Sequence, residues 1–222
     1  MSESFTRRSL LHAGVLGGVG LIAAACAAGP PQRARTSTGV SPDMPIAPDT
    51  KILLAYFSRA GENYWNGGRR SLQVGNTQVL AEMIAARITC DTYRIEPADP
   101  YPVSYDDTVA RNVAEEQADA RPAIANPLPQ ASDYGIFVLG SPVWNVRAPM
   151  IMSTFVHGLD LTGKTVLPFV TYAVSGMGTV EGDYRNMLPH TDVRTGLAVR
   201  GETVTDAGPG IDRWLRASQL IR

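Results

Sequence analysis

Cysteine is almost absent. Cys26 and Cys90 are the only two in 222 residues, so a disulfide framework is excluded as the source of stability. Charge of one sign is also missing: 20 basic residues stand against 21 acidic ones, which argues against a nucleic-acid binder. With three histidines and two cysteines, no set of His, Cys and carboxylates falls at metal-ligand spacing. No internal repeat is visible. The longest weakly polar run, Gly14 to Ala25, is too short and too rich in small residues for a membrane span. What remains is 44% hydrophobic and 18% charged, enough to bury one core.

The leader comes first. Arg7 and Arg8 precede the Gly14–Ala25 run, and Thr6-Arg7-Arg8-Ser9-Leu10-Leu11 resembles the twin-arginine export signal. Residues 1–28 are therefore expected to be a signal peptide and the protein to be periplasmic or otherwise outside the cytoplasm. Ala23-Ala24-Ala25-Cys26 resembles a lipoprotein processing box, which would place a lipid anchor at Cys26; cleavage after Ala27 would instead release a soluble protein. Residues 29–50, rich in Pro, Ser and Thr, are expected to form a flexible linker. Without residues 1–26, 18 basic and 20 acidic residues remain, a net charge of about −2.

From Lys51 onward, short apolar runs alternate with amphipathic stretches. KILLAYF (51–57), YGIFVLGS (134–141) and KTVLPFVTYA (164–173) are nearly continuous, as in strands covered on both faces. CDTYRIEP (90–97) and DVRTGLAVRG (192–201) also read as extended. Cys90, at the start of a strand, reads as a buried, inert thiol. Helices are expected at 77–88, 104–122 (polar, with Asp106 and Asp107 at its start), 148–159, 180–189 and 209–221. Five strands and five helices in about 170 residues imply an α/β fold, a doubly wound parallel sheet of order 2-1-3-4-5 with helices on both faces.

Such a sheet binds ligands beyond the carboxyl ends of its strands where the order reverses, here after strands 1 and 3. The first of these segments is long and polar, and it reads as a loop from about Gly61 to Val74. Gly75-Asn76-Thr77 then opens the first helix, so backbone N–H groups and the helix dipole would face an anion there, with Ser58, Asn76 and Thr77 as side-chain donors.

Tyr56-Phe57-Ser58 and Gly75-Asn76-Thr77 resemble the two halves of the flavodoxin phosphate loop, commonly Tyr-Phe-Ser-x-Thr-Gly-Asn-Thr, here divided by an insertion. Ala60 stands where that loop often has a hydroxyl, and Arg59 or a donor from the insertion is a candidate replacement. Pro142-Val143-Trp144, with Asn145, is similar to a flavin-flanking segment. Ser175, Gly176 and Gly178 are similar to a turn whose amides approach the flavin's pyrimidine edge. The resemblance covers nearly all of 51–222. It implies bound FMN and electron transfer between a donor and an acceptor, as an FMN-dependent oxidoreductase acting on quinones or other small acceptors, as a one-electron carrier, or, with the flavin lost, as a binding module. The insertion's Tyr64 or Trp65 would cover the flavin, or its Arg69 and Arg70 would meet a partner.

Two other motifs are set aside. Gly158 to Thr165 fits G-x-x-x-x-G-K-[ST], but a helix precedes it and a strand follows, the reverse of what a phosphate loop needs. Ser175 follows a strand, yet Ala173 breaks G-x-S-x-G, and His157 and His190 read as surface residues rather than bases.

Overall fold

The computed structural model describes residues 49–222; the expected signal peptide, Cys26 and the linker up to residue 48 lie outside the described residues. In chain order the strands are β1 (Ile52–Tyr56), β2 (Gly61–Trp65), β3 (Gly68–Leu72), β4 (Asp91–Arg94), β5 (Ile136–Pro142), β6 (Thr165–Tyr172), β7 (Asp192–Val193) and β8 (Leu197–Arg200). The α-helices are α1 (Asn76–Ala85), α2 (Tyr105–Gln117), α3 (Met150–His157), α4 (Val180–Met187) and α5 (Gly208–Ala217), with 3-10 turns at Ala131–Asp133 and Gly201–Asp206.

The main sheet runs β4-β1-β5-β6, with β7 and β8 both against β6, every pair parallel. This is the expected 2-1-3-4-5 order. Alternate residues of the apolar strands feed two cores, as the period of two requires. Leu53, Ala55, Phe57, Phe137, Leu139, Val166 and Val170 pack with Ile151, Met152, Phe155 and Val156 of α3 and with Val180 and Tyr184 of α4. Leu54, Tyr56, Ile136, Val138, Leu167 and Phe169 pack on the other face with Leu80, Ala81 and Ile84 of α1 and Ile211, Trp214 and Leu215 of α5. Each fully buried Leu, Ile or Phe contributes about 1.5–3 kcal/mol.

The fifth strand differs from the single run expected. Val166 pairs with Val193 but Phe169 with Leu197, so three steps of β6 face four of its neighbour. A Cβ on Gly196 would lie 2.6 Å from the Pro168 carbonyl oxygen, so Pro168 turns its polar side toward this strand. Proline has no N–H to donate there, and the strand breaks into β7 and β8 with an extra residue between. The Trp214 indole N–H donates to the Thr195 carbonyl at 3.0 Å, within this break.

Gly158–Thr165 runs from the end of α3 into β6, helix first and strand second, so its amides face no phosphate. Among the described residues, no cluster of three or more His, Cys, Asp and Glu side chains is placed to hold a metal. No described helix is long and apolar enough to cross a membrane.

Candidate functional site

The carboxyl ends of β1, β5 and β6 open into one cleft of about 460 Å³, within the range of about 300–1,000 Å³ usual for small-molecule sites. Its first wall is the junction of β1 and α1. Phe57 extends β1 by donating its N–H to the Gly140 carbonyl at 2.9 Å. The next residue, Ser58, is buried, and its Oγ accepts from the Gln78 N–H at 3.0 Å, which leaves the hydroxyl proton as a donor. Gly75 is the N-cap of α1 and makes no side-chain cap; no acidic residue occupies the first turn. The N–H groups of Asn76 and Thr77 have no acceptor within the helix, and the dipole there is uncompensated. Asn76 lines the cleft. Thr77 does too, and its buried Oγ1 lies 2.7 Å from Thr171 Oγ1.

Arg59 lines the cleft, but its terminal nitrogens serve backbone carbonyls: Nη1 donates to Pro102 and Val103 at 2.9 and 3.1 Å, and Nη2 donates to Glu62. Burial lowers its pKa. The guanidinium thus ties the segment after β1 to the one before α2.

The stretch read from sequence as a loop is a β-hairpin. β2 and β3 pair antiparallel around Asn66 and Gly67, both at positive φ, 46° and 87°. That two-residue turn matches the twist of the flanking strands, and Asn-Gly is its strongest signal; it was present in Trp65-Asn66-Gly67-Gly68. At the base of the hairpin, Glu62 donates its N–H to the Val103 carbonyl at 2.9 Å and accepts from the Tyr105 N–H at 3.1 Å. Arg69 stacks over the Tyr105 ring at 3.7 Å and pairs with Asp106 at 3.3 Å. At the tip, the Asn66 N–H donates to Glu202 at 3.1 Å. Burial opposes the Glu202 charge, but bonds from the Asn66 N–H, its own N–H and Arg200 outweigh it and hold the carboxyl below its usual range. Held at base and tip, the hairpin presents Asn63 and Tyr64 to the cleft, while Trp65 carries the Arg70 guanidinium at 4.4 Å.

Pro142, Val143, Trp144 and Asn145 all line the cleft. Trp144 and Arg147 exchange backbone hydrogen bonds at 2.9 and 3.0 Å around Asn145 and Val146, which have φ of 45° and 66°. A β-branched residue in that conformation is strained by about 1–2 kcal/mol. Its neighbours hold the turn: Asn145 Nδ2 donates to Glu116 Oε2 at 2.7 Å, and the Val146 carbonyl accepts from the Thr179 N–H at 2.7 Å. Trp144 meets Phe57 and Tyr101 edge to face, centroids 5.7 and 5.1 Å apart, contacts of about 0.5–1.5 kcal/mol each. Half-buried, it belongs to both the core margin and the cleft.

Thr171 and Tyr172 at the end of β6, and Ala173, Val174 and Ser175 just after it, line the cleft. Gly176 and Gly178, at φ of 60° and 57°, stand behind them. Gly178 lies directly against the Val146 carbonyl, with no room for a Cβ. Like Gly75, these two glycines shape the walls without lining them.

Sequence reasoning missed a whole wall. Tyr105, Thr108, Val109, Asn112 and Val113 of α2 line the cleft, as do Gly201 and Glu202 after β8. α2 reads as a polar, solvated helix, yet its buried side chains are Thr108, Asn112 and Glu115. Its valines at i and i+4, Val109 and Val113, remain 43% and 38% exposed on the cleft side. An apolar pair too narrow for a core stripe was the available signal. The lining as a whole joins an uncapped helix N-terminus to a slot of aromatic, aliphatic and amide groups. Such a lining can accept an anion at one end and a flat ring at the other.

The sequence model of a flavodoxin family matches residues 51–216. Among solved structures, a candidate flavoprotein from Bacteroides eggerthii is 28% identical, with a TM-score of 0.62, covering 78% of this chain and 100% of its own. A second from Bacteroides uniformis is 26% identical, with a TM-score of 0.60 and coverage of 75% and 98%. The fold is also that of a Lactobacillus acidophilus flavoprotein in complex with FMN, at 16% identity, a TM-score of 0.54 and coverage of 74% and 98%. No match was found among curated proteins.

Proposed function

Because the chain belongs to the flavodoxin family, we propose that its cleft binds FMN and that the protein is an electron-transfer flavoprotein, acting as an oxidoreductase on quinones or other small acceptors. The observation that carries this reading is the continuity of one cleft from the uncapped, acid-free start of α1 to the slot beside Trp144. The residues present fit the group. The amides of Asn76 and Thr77, with the Ser58 hydroxyl, would hold the phosphate. Pro142, Val143, Trp144 and the turn at Asn145 would flank the ring. Ser175 and the backbone freed by Gly176 and Gly178 would approach its polar edge. Bound FMN supplies reversible uptake of one or two electrons. The chain's own residues bind it, orient it and exclude water.

Two features favour an enzyme over a dedicated carrier. A net charge of about −2 outside residues 1–26, from 18 basic and 20 acidic residues, offers little electrostatic steering toward a redox protein. The exposed valines at positions 109, 113, 146 and 174 all border the cleft and suit an apolar acceptor. The purified protein is expected to oxidise NADH or NADPH in the presence of a quinone panel. Flavin-loaded protein that turns over with neither would leave the carrier reading.

The site of action is proposed from the leader alone. Arg7 and Arg8 direct twin-arginine export, a route that carries folded proteins and so allows FMN to be inserted first. Cys26 then carries a lipid that tethers the domain outside the cytoplasmic membrane.

A further inference from the structure

The hairpin β2–β3 is a two-stranded sheet of its own, unpaired with the main one, and so small a unit has little stability unless it is held from outside. Its base is held several times over. Glu62 bonds to Val103 and Tyr105, the Arg59 guanidinium serves the carbonyls of Glu62, Pro102 and Val103, and Arg69 pairs with Asp106. Gly61 packs closely as well, since a Cβ there would lie 2.9 Å from the Val103 carbonyl oxygen. At the tip, among the described residues, the bond from the Asn66 N–H to Glu202 Oε1 is the single hydrogen bond to the rest of the domain.

The two attachments are separated by the width of the sheet edge. The hairpin departs after β1, whereas Glu202 follows β8, with β5 and β6 between them. Three strand spacings of about 4.8 Å make about 14 Å, and a five-residue arm rises about 16 Å, enough to cross. Asn63 and Tyr64, in the middle of that arm, line the cleft, as do Tyr105 beside its base and Glu202 at its tip. Glu202 is otherwise out of place. A Cβ on the preceding Gly201 would overlap the Asn76 side-chain amide, so this carboxylate stands close to the start of α1, where it opposes an anion unless its charge is spent elsewhere. Its side chain is 5% exposed, and its two oxygens accept from the Asn66 N–H and from Arg200 Nε, each at 3.1 Å.

We propose that the hairpin is a strap across bound FMN, hinged at Arg59 and Glu62 and latched at its tip by Glu202, and that the flavin enters and leaves only when the latch opens. This rests on the FMN reading above. Glu202 is a positioning residue that acts through the hairpin, and the strap makes FMN a resident cofactor rather than an exchanging substrate.

The test measures two rates on the full chain: FMN binding by stopped-flow flavin fluorescence, and FMN release by exchange against excess isotope-labelled FMN. Glu202→Ala should raise both about tenfold, because losing a hydrogen bond to a charged acceptor shifts the strap toward open by about that factor or more. A residue that merely touched the ligand would change release alone. A second variant, in which Asn-Gly joins Glu62 directly to Ser71, its partner across the hairpin, removes the span and keeps Glu202. It should raise both rates too, although it loses Arg69 and Arg70, whose absence by itself would slow capture of an anion. Unchanged rates, or faster release without faster binding in either variant, would overturn the strap and leave FMN binding intact. Wild type that binds no FMN would remove the FMN reading and this inference together.

Discussion

Gly75→Ala is expected to lower FMN affinity about a hundredfold or more while leaving the domain folded. Gly75 has φ −69° and ψ 144°, values any residue adopts, so the effect is purely one of space. A Cβ there would overlap Ser58 Oγ and lie 2.5 Å from the Arg59 carbonyl oxygen. Those atoms belong to the segment that forms the other half of the proposed cradle, and Ser58 Oγ already accepts from Gln78. Relief comes only by opening the gap between the end of β1 and the start of α1. The amides of Asn76 and Thr77 would then miss the phosphate, and charge-assisted hydrogen bonds are worth about 1.5–3 kcal/mol each. Fluorescence titration gives the affinity, and thermal unfolding of the flavin-free protein shows that the fold persists. An affinity within threefold of wild type would mean that this junction does not hold the phosphate.

Two glycines in the loop after β6 separate conformational strain from steric conflict. Both Gly176 and Gly178 have positive φ, 60° and 57°. A Cβ on Gly176 would meet nothing within 4 Å, whereas one on Gly178 would overlap the Val146 carbonyl, its carbon 2.7 Å away. Gly176→Ala should therefore cost about 1 kcal/mol, the left-handed penalty alone. Gly178→Ala should cost about 3 kcal/mol, because backbone rather than a flexible side chain must yield. It should also displace the Trp144–Arg147 turn, since the Val146 carbonyl accepts from Thr179. Urea unfolding of the two variants makes the comparison. Equal losses would show that the contact between these loops is slack.

The runs around Leu53–Phe57, Phe137–Leu139 and Val166–Val170 read as buried strands because both faces are covered, and so they are. Gly75-Asn76-Thr77 read as a helix start because the helix does begin there. The hairpin was missed although Asn66-Gly67 announces it, since β2 and β3 are polar and lack the alternation by which strands are recognised. The break in the last strand follows from Pro168 on a different strand, and pairing partners are not visible in a linear reading. The wall formed by α2 was hidden for a related reason. Glu115 and Asn112 look solvated in sequence, and only the fold brings the Tyr101 hydroxyl to Glu115, buries Asn112 and turns Val109 and Val113 toward a cleft. Arg59 lies where a phosphate donor was sought, but its terminal nitrogens serve three carbonyls brought to it by the hairpin and by the segment before α2.

The central claim is that this cleft holds FMN. The most direct measurement is the visible absorption spectrum of the purified full chain, before and after added FMN, with any bound flavin released and identified. Flavin absorption bands and close to one FMN per chain are expected. A colourless protein whose Tm does not rise with FMN would contradict it.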